Sequence, residues 1–207
     1  MLGLPAILNV NGRRCLIVGG GPVALRRAQA LLDAGAEVVV VAPQIDPALS
    51  ALPVKTFQRG YESDDLDDVF LVVTASDNPL INQAVAERAR LKGVLTNRPD
   101  APDLSDIHIP AHRRLGPITI TVDTAGTSPS AAAEICENLA HQLDPVWPEL
   151  IELAARFRPI IQQHITDPQE RRRRLRRLAD PEAIDTLRRH GKDALIAYYE
   201  SLAKPDS

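Results

Sequence analysis

Arg14-Cys15-Leu16-Ile17-Val18-Gly19-Gly20-Gly21-Pro22-Val23-Ala24 is the stretch on which the fold turns. The apolar run ending at Val18 suits a buried parallel strand, and the glycines follow it directly. Gly19, Gly21 and Ala24 fit the spacing G-x-G-x-x-A. Between a strand and a helix, Gly19 permits the tight turn and Gly21 lets the backbone approach a pyrophosphate. Ala24 lets the helix pack closely on the strand. The helix N-terminus then faces the phosphates with its partial positive charge. The competing reading is a glycine-rich turn with no ligand.

Outward from this turn the first half alternates strand and helix. Val23 to Ala34 has helical spacing of apolar residues, and Gly35 suits its end. Glu37 to Val41 carries four consecutive valines, a second buried strand. Lys55 to Gln58 reads as a weak third strand, Glu62 to Asp65 as a surface loop or helix start, and Val69 to Thr74 as a strong strand. Asn78 and Pro79 supply a cap and a first-turn proline for a helix ended by Gly93, and Val94 to Thr96 is the next strand. This order implies a mostly parallel sheet with helices on both faces. After Pro110 the pattern changes: Pro117 to Val122 alternates as a strand, and Ser128-Pro129 starts a helix running to about Leu143. Pro145 and Pro148 are read as breaks. Short helices follow, separated at Asp167-Pro168, Asp180-Pro181 and Gly191. The expected class is α/β: a Rossmann-type parallel sheet domain over 1–112, a small strand-helix region over 113–148 and a helical C-terminal domain over 149–207.

Composition narrows the function. The 207 residues are 44 % hydrophobic and 25 % charged, and at ~150 residues per domain they make one domain and a remainder. Aromatic residues are 3 %, too few for base-stacking platforms, and the net charge is −3, which argues against a nucleic-acid partner. Residues 1–112 hold ten Lys/Arg and thirteen Asp/Glu, while residues 113–207 hold fourteen of each. Arg171 to Arg177 includes six arginines, read either as a solvated face or as a rim for an acidic ligand. No apolar run approaches the ~18–20 residues of a membrane span. Met1 is not followed by a basic segment, and two cysteines fit a reducing cytoplasm.

The strand ends carry the candidate chemistry. The second strand ends in Val41-Ala42-Pro43-Gln44, with neither the acid expected for NAD nor an arginine for NADP; Gln44 is placed to hydrogen-bond a ribose hydroxyl. Thr74 and Ala75 are candidate cofactor contacts at the end of the fourth strand, whereas Ser76 or Asp77 could equally only cap the next helix. Asp100 follows the fifth strand in Asn97-Arg98-Pro99-Asp100. A carboxylate there can accept a proton while a hydride leaves, can bind a metal, or can simply complete a turn. His108 is read either as a packed ring or as a helper of Asp100. His141, His164 and His190 read as helix residues, and no Cys/His spacing resembles a zinc site.

Taken together, Leu4-Pro5, Leu16 to Ala24, Ala34-Gly35-Ala36, Thr74 to Asp77, Asn82 to Val85, Asn97 to Asp100, Ile109-Pro110 and Gly126 to Pro129 resemble the siroheme-synthase family, specifically its precorrin-2 dehydrogenase module. The resemblance spans roughly residues 4–145. It implies NAD-dependent oxidation of precorrin-2 to sirohydrochlorin in the cytoplasm, by a homodimer whose interface is the 113–148 region. Insertion of ferrous iron by the same site is the alternative activity, with iron as a substrate; Asp100 and His108 would then serve the metal. Asp100 is the implied catalytic residue, as general base or as electrostatic support of the site. Pro22, Val23, Pro43 and Gln44 map onto the family's cofactor contacts. Asn97, His108, Arg113, Thr124, Thr127 and Ser128 fall on the substrate side, Thr124 standing where some members carry a phosphorylatable serine. Arg113 and Arg114, just before the dimer strand, suit a polycarboxylate substrate. The fused methyltransferase domain of bifunctional members is absent from these residues, so methylation of uroporphyrinogen is not expected. A non-enzymatic NAD sensor is the reading from another class.

Overall fold

The computed structural model describes residues 3–204; the outermost residues of the expected segments, 1–2 and 205–207, lie outside that range. The chain divides after Ile109 into two compact units.

In the first unit, β1 (Arg14–Val18), β2 (Glu37–Val41), β3 (Lys55–Phe57), β4 (Leu71–Thr74) and β5 (Leu95–Asn97) form one sheet in the order β3-β2-β1-β4-β5. Every neighbouring pair is parallel. Parallel strands need crossovers, and these place α1 (Pro22–Asp33) against one face and α3 (Pro79–Leu91) against the other; α2 (Pro47–Ser50) is a single turn capped by Asp46. Side-chain alternation therefore yields two apolar layers. Cys15, Ile17, Val38, Val40, Leu71 and Val73 meet Ala24, Ala28 and Leu31 of α1. Leu16, Val18, Val39, Val41 and Val72 meet Val85 and Ala89 of α3. Cys15 lies in the first layer, and burial pushes its thiol up to about 11, so it is packing rather than a nucleophile. The strand order reverses between β1 and β4, so their carboxyl ends flank the crevice where open α/β sheets bind ligands.

The acidic stretch folds into a 3-10 turn, Ser63–Leu66, with Asp65 only 7 % exposed. Arg59 grips that carboxylate with two bonds, Nη1 to Oδ2 at 2.8 Å and Nη2 to Oδ1 at 2.6 Å, and the Glu62 N–H donates to Oδ2 at 2.8 Å. The Arg59 hydrogen bonds, opposed by burial and aided by the Glu62 N–H, hold the Asp65 carboxyl below its usual range. A depressed folded pKa stabilises the fold above the unfolded pKa and stops doing so as pH falls through the folded one. Asp65→Asn should therefore cost about 1–2 kcal/mol at neutral pH, little enough because Arg59 is partly exposed. The gap should close below about pH 4, the usual carboxylate range. Urea denaturation of both proteins at the two pH values reads this.

The second unit begins with a hairpin. β6 (Ala111–Leu115) pairs antiparallel with β7 (Ile118–Val122) through the two-residue connection Gly116-Pro117, with Gly116 at φ +56°. β6 has no alternation to announce it, because its Ala-His-Arg-Arg-Leu sequence leaves three exposed residues in the middle. Arg113 and Arg114 thus lie within a strand rather than before one. Conversely, Ser105 to Pro110 is irregular and His108 is exposed, so its reading as a packed ring fails. α4 (Pro129–Gln142) packs on the hairpin, burying Ala132 and Cys136. α5 (Val146–His164), α6 (Pro168–Arg177) and α7 (Pro181–Ala203) share a core of Leu150, Leu153, Phe157, Ile161, Leu187, Leu195 and Tyr199. Pro148 does not break the chain: it lies in the first turn of α5, where a missing N–H costs nothing. Asp167 and Asp180 cap α6 and α7 as the Asp-Pro pairs predict, and α7 is interrupted at Gly191, φ +79°. Among the described residues, no helix is long and apolar enough to cross a membrane.

Candidate active site

The glycine turn follows from what its missing side chains would meet. Gly19 has φ +133°, and a Cβ there would lie 2.2 Å from the Ala75 carbonyl oxygen. The turn after β1 therefore lies directly on the turn after β4, at the point of strand-order reversal. Gly20, given no role by the sequence, is equally constrained: its Cβ would lie 2.0 Å from the Gln44 carbonyl oxygen, and its own carbonyl accepts from the Asp46 N–H at 2.9 Å. Gly21 differs from both. Nothing lies within 4 Å of a Cβ built on it, and it caps α1 with no side-chain hydrogen bond and no acidic residue in the first turn. That leaves uncovered N–H groups at a positive helix end, beside open space.

The residues around this turn fit a dinucleotide. Thr74, 1 % exposed, has its Oγ1 buried without a hydrogen-bond partner at the end of β4. Pro22, Pro43 and Gln44 are exposed, and Val23 and Ala75 are half-buried, around the same carboxyl edge. Asp46 caps α2, as a turn residue should, and accepts from Ala48 N–H at 2.8 Å.

Asp100 stands at this edge after β5. Its carboxylate is 28 % exposed and pairs with Arg98 at 3.0 Å. Partial burial, which alone would raise its pKa, is outweighed by hydrogen bonds from Arg98 and Asn82 and by the Arg98 charge, so the carboxyl is held below its usual range. Asn82 is 1 % exposed and also fixes the end of β4: Ser76 Oγ donates to Asn82 Oδ1 at 2.7 Å, and Asn82 Nδ2 donates to the Ser76 carbonyl at 2.9 Å. Ser76 accordingly holds the turn before α3 in place. Asn97 is buried; its Nδ2 donates to the Ile107 carbonyl at 3.0 Å while its Oδ1 has no partner. Asn82 and Arg98 were legible only as members of a motif, because their partners come from other elements.

The remaining sequence candidates belong to the second unit and have local partners there. Arg113 Nε donates to Glu137 Oε2 at 2.5 Å, tying β6 to α4. Thr124 Oγ1 donates to the Ser128 carbonyl at 3.1 Å and accepts from the Ser128 N–H at 3.2 Å. Ser128 caps α4, accepting from the Ala131 N–H at 3.3 Å, and Thr127 is exposed. In the arginine run the solvated-face reading fails at Arg174, which is 6 % exposed: its Nε donates to Glu170 Oε1 at 2.5 Å and its Nη1 to the carbonyls of Leu202 and Lys204. Among the described residues, no three His, Cys, Asp or Glu side chains gather as metal ligands would.

Residues 6–111 match the family described as "Putative NAD(P)-binding", and residues 147–202 match the "Sirohaem synthase dimerisation region". The chain belongs to the family described as putative NAD(P)-binding. It is 38 % identical over 173 residues to the siroheme synthase of Pseudomonas entomophila, and 37 % identical over 173 residues to that of Azotobacter vinelandii. Each match covers 82 % of this chain, and the chain spans 37 % of the length of either relative. Its fold is that of SirC, a precorrin-2 dehydrogenase: the TM-score is 0.77 at 23 % identity, over 96 % of this chain and 100 % of SirC. The dimerisation match falls on α5 to α7, C-terminal to the 113–148 segment to which the resemblance assigned the interface.

Proposed function

We propose that the chain is a cytoplasmic, NAD-dependent precorrin-2 dehydrogenase that yields sirohydrochlorin. The observation that carries this reading is the meeting, at one sheet edge, of an uncapped α1 N-terminus and a fixed carboxylate, Asp100, in a siroheme-synthase module with the SirC fold. The α1 N–H groups at Gly21 would hold the pyrophosphate, and Thr74 Oγ1 has an unused hydrogen-bonding capacity beside it. Bound NAD⁺ supplies a two-electron acceptor. The substrate loses one carbon-bound hydrogen as hydride and a second hydrogen as a proton released to solvent. Positive charge develops on the substrate as the hydride leaves, and Asp100, held ionised, opposes it. The depressed pKa of Asp100 supports this electrostatic role over that of general base, which favours a pKa near the working pH.

The dimerisation match supports a homodimer, and the free edges of the two-stranded β6-β7 sheet support a contribution from 113–148. The cofactor domain, expected over 1–112, ends at Ile109, because a boundary at 112 would cut β6, and the helical domain, expected from 149, starts with α5 at Val146. Cys15 and Cys136, both free and buried, suit a reducing compartment. Precorrin-2 with NAD⁺ should give sirohydrochlorin absorbance and NADH together. Asp100→Asn should lower kcat about 100-fold, the scale of one lost transition-state charge interaction, with NAD⁺ affinity little changed. An Asn variant with full turnover would remove Asp100 from the mechanism. Asparagine is preferred to alanine because it keeps the shape between Arg98 and Asn82.

A further inference from the structure

Arg98 occupies an unusual position for a guanidinium. Its side chain is 6 % exposed, and its ion-pair partner is Asp100. Its Nε is buried with no hydrogen-bond partner. The backbone beneath it is pinned in both directions: Arg98 N–H donates to Ser105 Oγ at 2.7 Å, and Ser105 Oγ donates to the Arg98 carbonyl at 3.2 Å. An apolar side chain in the same space would avoid both the burial of a charge and the orphaned Nε. Packing therefore does not account for Arg98. What the arginine does accomplish is to grip one oxygen of Asp100 at 3.0 Å, close to Asn82 of α3, which is itself locked onto the end of β4. The carboxylate is thus gripped by an arginine of its own loop, whose backbone is pinned at the carboxyl edge of the sheet.

We propose that Arg98 is a positioning residue for the reaction: it fixes the direction in which Asp100 presents its charge to the substrate. This rests on the reading of Asp100 as the working carboxylate. Arg98 itself is too enclosed to meet the substrate, so it acts through Asp100 alone. Two consequences follow. Arg98 should influence turnover rather than substrate binding, and its effect should vanish once Asp100 no longer carries a carboxylate.

The test uses the full chain as wild type, Arg98→Met, Arg98→Lys, Asp100→Asn and the Arg98→Met/Asp100→Asn double variant. Arg98→Met should lower kcat about tenfold or more while KM for precorrin-2 stays within about threefold, since the lost interaction matters in the transition state. Arg98→Lys, which keeps the charge, should recover part of the loss. In the Asp100→Asn background Arg98→Met should cause no further fall, whereas two independent residues would multiply their effects. Melting temperatures give a readout free of the reaction: Asp100→Asn should melt lower than wild type because Arg98 keeps a buried charge without its counter-ion, and the double variant should recover. Wild-type kcat in Arg98→Met, an equal fold-loss in both backgrounds, or additive melting shifts would overturn the proposal. A wild-type protein that does not turn over precorrin-2 would overturn the proposed function instead, and the melting cycle would still decide whether Arg98 and Asp100 act as a pair.

Discussion

Gly19→Ala is expected to unfold the edge of the cofactor unit and abolish NAD⁺ binding. The added Cβ would sit 2.2 Å from the Ala75 oxygen and 2.4 Å from its carbonyl carbon, both backbone atoms, at a φ of +133° that alanine rarely adopts. Neither neighbour is the free end of a side chain, so the β1 and β4 turns must separate. Strain and overpacking together should cost about 3 kcal/mol or more. Gly21→Ala is the matched control. Nothing lies within 4 Å of its Cβ, so thermal stability should be close to wild type, but the methyl group would enter the open space proposed above for the pyrophosphate. Calorimetric titration with NAD⁺ should then show at least about tenfold weaker binding, a loss of ~1.4 kcal/mol. A Gly19→Ala protein with wild-type melting and NAD⁺ affinity would refute this account of the turn, as would a Gly21→Ala protein that binds unchanged.

Arg174→Ala should destabilise the second unit by about 3 kcal/mol. Its guanidinium satisfies Glu170, itself only 18 % exposed, and the carbonyls of Leu202 and Lys204 at the end of α7. Removing it takes this donor from the carbonyls that end α7 and leaves Glu170 to Arg173 alone, the expensive way to break such a cluster. The chain has one tryptophan, Trp147, packed against the α5-α6-α7 core, so its fluorescence reports this unit during urea denaturation. Arg172→Ala, on an exposed face of the same helix, should stay within about 0.5 kcal/mol of wild type. Equal midpoints for the two alanine variants would show that Arg174 is no different from its neighbours in the run.

These two cases mark where reading along the chain succeeds and where it stops. β1, β2, β4, α1 and α3 were legible because valine runs, helical spacing and Asn-Pro or Gly punctuation act between residues close in sequence. The Asp-Pro starts of α6 and α7 were legible for the same reason. β6 was not, because it is held as a strand by its register with β7 and by Arg113 reaching Glu137, not by its own composition. Gly20 carries no signal of its own in the sequence, because what constrains it is the Gln44 carbonyl that folding brings against it. Asp100 is legible from its place after a strand, yet its depressed pKa, which favours fixed charge over base, comes from Arg98 two residues back and Asn82 on another element.

By itself the sequence determined the doubly wound sheet, the glycine turn between β1 and α1 and the NAD(P)-binding family, since all three rest on short-range patterns of backbone preference and hydrophobic spacing. Only the tertiary structure decided which arginine of a run is buried, which glycine packs and which one opens, and what holds Asp100. Each of those depends on burial and on partners brought close by folding, and a residue's burial and distant partners are not properties of its own stretch of chain.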